Sequence, residues 1–558
     1  MLLSLPALGD LASSGGIVLP RPPVLPEIRP GTWEDLKPFQ RRGVPRLVGW
    51  RRGHLWWTTG SGKTRAAIII ALAEPGPIVV LTRASTRGQW LAEFRSISTV
   101  DPYVVLPEGE TPVGYPSLGV YLRDYGYPRN PTNALRGLNR TGRVVIIASW
   151  GALLNDSFYD ICRTLLNGMT LIGDEVHNIR NHRHYDPEPI PGTTKFKFVQ
   201  RRTIAARARF LSDYASRRYG LTATPIYNFY RDLWAQFQFV EPGAVGRYHE
   251  WAIRFCDGHE EDGFFVDNGV SNVNALWDYA SGRVDIVSYD ELKLYLPALT
   301  RITTQLTAAD LEPARAVTTK AFQDASRALA KSVARGEGAD DLTEAYLDAQ
   351  STRAASRKSK YAGRRAAELV GEGKRVLVLA ATHDDVDRIA MYARRALEES
   401  WPSTRAGPGA GWQLWVGDGR DTPSARAVLQ EQFLAHQSGG ALIGTVDAWG
   451  EAYNLHNAHW GIAPKLPWTW GQIRQLEGRG HRLGGRLPMT WEYVFDDSDG
   501  DRNLMAKVYG KIDNIAKMLS DSQLLGVQDT IRGGTVDDVV ESFFDRLLAG
   551  DLSELAGL

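Results

Sequence analysis

The chain has 558 residues, enough at about 100–200 residues per domain for roughly three or four structural units. Its apolar fraction of 43% and charged fraction of 23% are those of an ordinary globular protein, which excludes a wholly disordered or fibrous chain. The net charge of +1 excludes a global basic field, so a polyanionic partner has to be met by local patches of Arg and Lys.

At the N-terminus, Met1-Leu2-Leu3-Ser4-Leu5-Pro6 is a short apolar run with no basic residues before it, and no signal peptide is expected. Pro20, Pro22, Pro23, Pro26 and Pro30 make residues 1–32 read as an extended arm. From 33 to 240 short apolar runs alternate with helical stretches. Ile78-Val79-Val80-Leu81, Val144-Val145-Ile146-Ile147 and Leu171-Ile172-Gly173 are near-continuous apolar strands, as in a parallel sheet covered on both faces. Over 241–365 the pattern changes. Ala308 to Leu369 is rich in Ala, Arg, Lys, Asp and Glu, and a mostly helical insertion is expected. A second α/β rhythm fills 366–502, with Arg375-Val376-Leu377-Val378-Leu379, Leu414-Trp415-Val416 and Ala441-Leu442-Ile443-Gly444. Residues 503–558 read as helical. The expected fold class is α/β, two tandem lobes with parallel sheets. Cys162 and Cys256 are far apart and belong to no Cys-x-x-Cys pair, which argues against a disulfide framework or zinc ribbon and fits a reducing compartment. The expected location is the cytoplasm of a bacterium or of a virus-infected host, or the nucleus of a eukaryote. No stretch of about 18 apolar residues occurs, so no membrane span is expected.

Thr59-Gly60-Ser61-Gly62-Lys63-Thr64 follows the apolar Leu55-Trp56-Trp57 and precedes the helix-forming Arg65 to Ile70. That is the setting of a phosphate loop. Glycines let backbone N–H groups turn toward phosphate oxygens, and the helix N-terminus adds its dipole. Lys63 would reach the β and γ phosphates of ATP, and the Thr64 hydroxyl would bind Mg2+. The first glycine of the full motif is replaced by Trp57. Asp174-Glu175 closes the strand Leu171–Gly173, where Asp174 would hold the magnesium shell and Glu175 would orient the attacking water. His177 is placed to link this site to its neighbours.

With these residues in view, the chain resembles the superfamily-two helicase-like motors, and within them the Swi/Snf ATPases, from about Leu36 to about Gly484. Leu36-Lys37-Pro38-Phe39-Gln40 resembles the element whose glutamine reads adenine, and Gln89-Trp90 with Glu93 resembles the next motif. Leu221-Thr222-Ala223-Thr224-Pro225-Ile226-Tyr227-Asn228 resembles the threonine motif after the Asp-Glu box. Phe229 to Gly243 follows the Swi/Snf pattern. Gln475-Leu476-Glu477-Gly478-Arg479-Gly480-His481-Arg482 resembles the motif that supplies arginine fingers. Thr445 to Ala458 resembles the fifth motif, with Ala452 in place of a usual glycine, and Gly478 replaces a usual aspartate. The resemblance implies two RecA-like lobes, ATP and Mg2+ between them, and catalytic roles for Lys63, Asp174, Glu175, His177, Gln475, Arg479 and Arg482. It further implies a monomer that hydrolyses ATP to move along DNA through backbone contacts, for which Thr82, Arg83, Ser149, Trp150, Thr382, His383, Thr445 and Val446 are the candidates. Arg254-Phe255-Cys256-Asp257 and Ser271-Asn272 resemble the annealing-helicase, fork-remodelling branch.

Other patterns have two readings each. Arg41-Arg42, Arg46, Arg51-Arg52 and, later, Arg201-Arg202, Arg207, Arg209, Arg217-Arg218 are either sides of a DNA groove or solvated faces. Trp56 and Trp57 either stack on bases or pack beneath the phosphate loop. His177, His182 and His184 form a metal site or a polar loop, and Asp496, Asp497, Asp499 and Asp501 a nuclease cluster or a solvated acidic turn.

Overall fold

In the computed structural model, the described residues are 27–105, 143–165, 167–182, 185–189, 196–226, 229–261, 264–287, 289–313, 323–328, 340–400, 411–449, 453–465, 470–496 and 501. The arm before residue 27, Tyr227, Asn228, His184, Ala452, Asp497, Asp499 and the segment 503–558 lie outside them.

The first sheet is built from β1 (Arg52–Trp57), β2 (Ile78–Thr82), β3 (Tyr103–Val104), β4 (Val145–Ser149) and β5 (Thr170–Asp174). Beyond the antiparallel hairpin β6 (Tyr185–Pro189) and β7 (Phe196–Gln200) it gains β8 (Arg217–Leu221). A second hairpin, β9 (His259–Glu261) with β10 (Phe264–Val266), precedes β11 (Val284–Val287). The order is β11-β1-β8-β5-β2-β4-β3, parallel at each pairing. Alternate residues of its strands enter different cores. Trp56, Val79, Leu81, Ile146 and Leu171 pack on one face. Trp57, Val80, Ile147 and Ile172 pack on the other, with helix α1 (Pro38–Trp50), helix α2 (Lys63–Leu72) and helix α3 (Arg87–Ile97). Burial on both faces is why these strands read as unbroken apolar runs.

The second sheet holds β12 (Leu299–Gln305), β13 (Arg375–Ala380), β14 (Gln413–Val416), β15 (Gly440–Thr445), β16 (Trp460–Ala463) and β17 (Met489–Phe495). Its order is β12-β17-β16-β13-β15-β14, again parallel throughout. Two parallel sheets flanked by helices confirm the α/β class.

The segment 241–365, expected to be a mostly helical insertion, also carries strands of both sheets. Helices Tyr248–Phe255, Val273–Ala280 and Asp340–Arg357 do form there, but β11 completes the first sheet and β12 opens the second. The first lobe's sheet therefore ends at residue 287, and the second lobe's begins at 299. Asp285 hides β11 by interrupting an apolar run. In the fold it is fully buried, and its carboxylate accepts from Trp57 Nε1 at 2.7 Å and Arg46 Nη1 at 2.8 Å.

Several arginines of the two arginine-rich stretches make internal pairs. Arg42 meets Glu291 at 2.6 Å, Arg52 meets Glu241 at 2.7 Å, Arg217 meets Glu74 at 2.6 Å, and Arg207 meets Asp156. Trp56 and Trp57 are buried in the sheet, so they pack rather than stack on bases. His182 stacks on Tyr248. Asp496 and Asp501 are buried, not solvated. Lys358, itself fully buried, donates to Asp501 and to the carbonyls of Val494 at 2.9 Å and Pro464 at 3.0 Å.

His54 in β1 is fully buried against Trp56 and Phe237, and burial pushes its pKa down to about 3. It is neutral when folded but takes a proton near its ordinary value of 6.5 when unfolded. The stability this contributes is full above pH 6.5 and is lost as pH falls toward 3, by about 1.4 kcal/mol per pH unit. His54→Leu is expected to flatten the pH dependence of urea denaturation by that amount between pH 6 and about 4, relative to the parent chain. Equal slopes in the two proteins would refute the assignment.

Candidate nucleotide-binding cleft

The phosphate-loop residues follow the C-terminal end of β1, and Asp174 ends β5. Parallel sheets bind ligands at these strand ends. Gly60 and Gly62 take φ of +80° and +78°, so the loop curls back before α2 starts at Lys63. A Cβ on Gly62 would lie 2.5 Å from Gln40 Nε2, which already donates to the Ser61 carbonyl at 2.8 Å. Gln40 Oε1 accepts from the Lys37 backbone at 2.8 Å, so this side chain is clamped against the loop.

Across the cleft stand residues of the second lobe. Thr59, Gly60, Gly62, Lys63, Thr64, Asp174 and Glu175 share a cavity of about 710 Å3, open to solvent, with Gln475, Arg479 and Arg482. Arg83, Thr86 and Gln89 complete the first-lobe wall. The Leu483 amide donates to the Gly60 carbonyl at 3.4 Å, which joins the arginine-bearing loop to the phosphate loop.

Asp174 is held by two tryptophans and a threonine. Thr82 Oγ1 and Trp90 Nε1 both donate to Oδ2, at 2.8 and 2.7 Å, and Trp150 Nε1 donates to the backbone carbonyl at 2.8 Å. Gly173 makes this possible, because a Cβ there would press on Trp150 at 2.9 Å and Phe239 at 3.0 Å. With both side-chain donors on one oxygen, Oδ1 is left to the cleft. Burial, then the neighbouring Glu175, raises the Asp174 pKa. Burial likewise lowers Lys63, Arg482 and Arg479, the last to about 9, with the repulsion of Arg482 adding to it at Arg479. Lys63 Nζ donates to the Trp57 carbonyl at 2.9 Å.

Glu175 adopts φ +49°, a left-handed conformation costly for a residue with a side chain and characteristic of functional sites. His177 is buried, and burial lowers its pKa to about 3, so it is neutral. Its Nε2 lies 3.3 Å from Arg83 Nη2, which can only donate. Nε2 therefore accepts, and Nδ1 carries the hydrogen toward Thr222 Oγ1 at 3.0 Å. The Thr224 amide donates to that same hydroxyl at 3.0 Å, so the Asp-Glu box and the threonine motif are joined.

On lobe two, Arg479 Nε donates to the Gln475 carbonyl at 3.1 Å. Glu477 between them accepts from Arg301 of β12 at 2.6 and 2.9 Å and from Tyr493 of β17 at 2.8 Å. Arg301 and Glu477 thus brace the arginine-bearing turn. Sequence motifs did not reveal Arg301, because its partner lies 176 residues away.

Several of the suggested DNA contacts are turned inward. Thr82 and Trp150 are buried as supports of Asp174, and Arg83 lines the cleft between the lobes. Thr445 is buried, its hydroxyl accepting from the Ala448 amide at 3.3 Å. Thr382 caps the helix His383–Ser400 through Asp385. Ser149 and Val446 are half-buried, while the exposed His383 meets Asp418 at 3.1 Å.

No family model matches the chain. A Drosophila melanogaster protein, SWI/SNF-related matrix-associated actin-dependent regulator of chromatin subfamily A-like protein 1, is 22% identical over 518 residues, covering 89% of this chain and 58% of that protein. Proteins of the same name from Xenopus tropicalis and Xenopus laevis are each 23% identical over 484 residues, 86% of this chain, and 44% and 43% of their own lengths. The chain is thus similar to Swi/Snf-related proteins along most of its length. It spans little more than half of the Drosophila relative and under half of the Xenopus ones. A Sulfolobus solfataricus SWI2/SNF2 ATPase core in complex with dsDNA aligns with a TM-score of 0.35 at 18% identity, over 83% of this chain and 88% of that one. In this chain, Arg254-Phe255-Cys256-Asp257 and Ser271-Asn272 fold against each other. Ser271 Oγ and Asn272 Nδ2 donate to the Arg254 carbonyl at 2.9 and 2.7 Å.

Proposed function

We propose that the chain is an ATP-driven DNA motor that hydrolyses ATP between its two lobes and uses the cycle to move along duplex DNA. The observation that carries this is Arg479 and Arg482 from the second lobe facing Lys63, Asp174 and Glu175 of the first across one cleft. The residues suit a magnesium–triphosphate. Four cations, Lys63, Arg83, Arg479 and Arg482, outnumber the two carboxylates Asp174 and Glu175 in the cleft. Among the described residues, buried Thr59 Oγ1 and Ser61 Oγ have no hydrogen-bond partner, so donors stand ready, and Glu175, its Oε2 3.4 Å from His177 Nδ1, lines the same cleft as an acceptor. Thr64 and Asp174 would hold Mg2+, which when bound neutralises charge building on the phosphoryl oxygens.

In this reading Gln40 reads the base, Lys63 grips the β and γ phosphates, and Glu175 orients water. Arg479 and Arg482 stabilise the transition state only when the lobes are together, so chemistry is tied to closure and opening. Fork remodelling, branch migration or strand annealing is the finer proposal, supported by the paired segments around Arg254 and Ser271. The test is phosphate release with duplex, single-stranded and forked DNA and with RNA. Duplex or forked DNA is expected to stimulate most, and Lys63→Ala to reduce turnover by at least about 10²-fold. Best stimulation by RNA, or turnover surviving Lys63→Ala, rejects the proposal. Strand displacement as efficient as hydrolysis would instead favour a strand-separating helicase, and co-purification of a nuclease subunit a restriction motor.

A further inference from the structure

We infer that Arg83 is a third guanidinium for the terminal phosphoryl group, supplied by the lobe that carries the phosphate loop, and that engaging it draws the side chain off His177 and Asn178. This rests on the ATP reading proposed above.

Arg83 directly follows Thr82, the last residue of β2, whose hydroxyl is fixed on Asp174 at 2.8 Å. Its backbone is therefore set relative to the Asp-Glu pair. Its side chain lines the same cleft as Lys63, Glu175, Arg479 and Arg482. Nη2 lies 3.3 Å from both His177 Nε2 and Asn178 Oδ1, beyond the usual range for a strong hydrogen bond. Other cations share the cleft, and a phosphoryl group there would relieve their mutual repulsion. A phosphoryl group offers oxygens that a guanidinium fork meets in pairs, through shorter, charge-assisted bonds. A terminal phosphate in the cleft therefore gives Arg83 a charged partner of a kind that His177 and Asn178 are not.

Arg83 differs from Arg479 and Arg482 in the lobe it belongs to. The latter two depend on closure, whereas Arg83 stays beside the phosphate loop throughout. It can distinguish a triphosphate from a diphosphate before the lobes meet. His177 carries the result onward. When Arg83 leaves, Nε2 loses a donor, while Nδ1 remains on Thr222, the residue after β8.

The experiment titrates the full chain, with magnesium, using fluorescent N-methylanthraniloyl-ADP and the matching label on the non-hydrolysable triphosphate analogue AMPPNP. Arg83→Gln is expected to keep the parent's ADP affinity, which also reports a folded loop, and to lose about 10- to 100-fold in AMPPNP affinity. Arg83→Lys should recover part of the loss. Equal losses for both nucleotides, or no loss for either, overturn the inference, as does a loss confined to duplex-DNA affinity measured without nucleotide. A parent chain that binds neither nucleotide overturns the ATP reading as well, which separates the two failures.

Discussion

Arg479→Ala is expected to lower the DNA-stimulated kcat for ATP hydrolysis by about 10³–10⁵-fold while leaving KM for ATP little changed. The guanidinium comes from the second lobe into a cleft whose phosphate-binding parts belong to the first. In the proposed reading it meets charge that exists only in the transition state, so its loss falls on kcat. Burial and Arg482 pull its pKa to about 9, which leaves it charged at neutral pH. An ammonium starts lower than a guanidinium and lacks the planar fork, so Arg479→Lys is expected to rescue poorly. Steady-state phosphate release, with single-turnover measurements to separate chemistry from product release, checks both variants. A raised KM with unchanged kcat would mean that Arg479 only binds the ground state.

Glu477→Ala is expected to be the most damaging substitution for the second lobe, costing about 3–5 kcal/mol. Glu477 is 1% exposed and receives both Arg301 donors and the Tyr493 hydroxyl. Truncation leaves the Arg301 charge largely buried without its carboxylate. Such losses exceed the net worth of the pair, because the remaining ion cannot regain water. Glu477→Gln keeps an acceptor but not the charge, and should fall between. Urea denaturation followed by tryptophan fluorescence reads the stability, and kcat at a temperature where each variant is folded reads the site. Since Glu477 lies two residues before Arg479, kcat should drop in both. An unchanged denaturation midpoint for Glu477→Ala would show that the brace carries no stability.

Local patterns made some parts of this architecture readable and left others hidden. Gly60 to Thr64 could be recognised because the loop's demands are local: two left-handed glycines, then a helix. Asp174 stood out as an acid ending a wholly apolar strand. The same apolar rhythm exposed β2, β4, β5, β13 and β15, which are buried on both faces. It did not expose β11, where Asp285 is satisfied only by residues more than 200 positions away. Nor did it reveal β12, whose alternating half-exposed residues read as loop or helix. Arg83 and Trp150 were assigned to DNA because loops after strands carry such contacts in the resembled family. Gly173 was the clue to Trp150, since a glycine beside a functional acid marks a close approach. No comparable local sign marked Arg83, whose neighbours His177 and Asn178 come from another strand's end.

The route of the chain between the sheets sets a mechanical limit. Leu292 is buried in the first lobe's core and Glu291 is paired with Arg42, so the polypeptide is anchored there. It is anchored again at Leu299, where β12 joins the second sheet. The intervening stretch is a tether that, even drawn straight, spans no more than about 25 Å. His481 Nε2 also bonds the Pro297 carbonyl at 2.8 Å, fastening the tether to the loop that bears Arg482. Separating the lobes therefore pulls on the arginine loop itself. At this crossing the lobes stay within that length of each other, so they part by swinging about it rather than by drawing away.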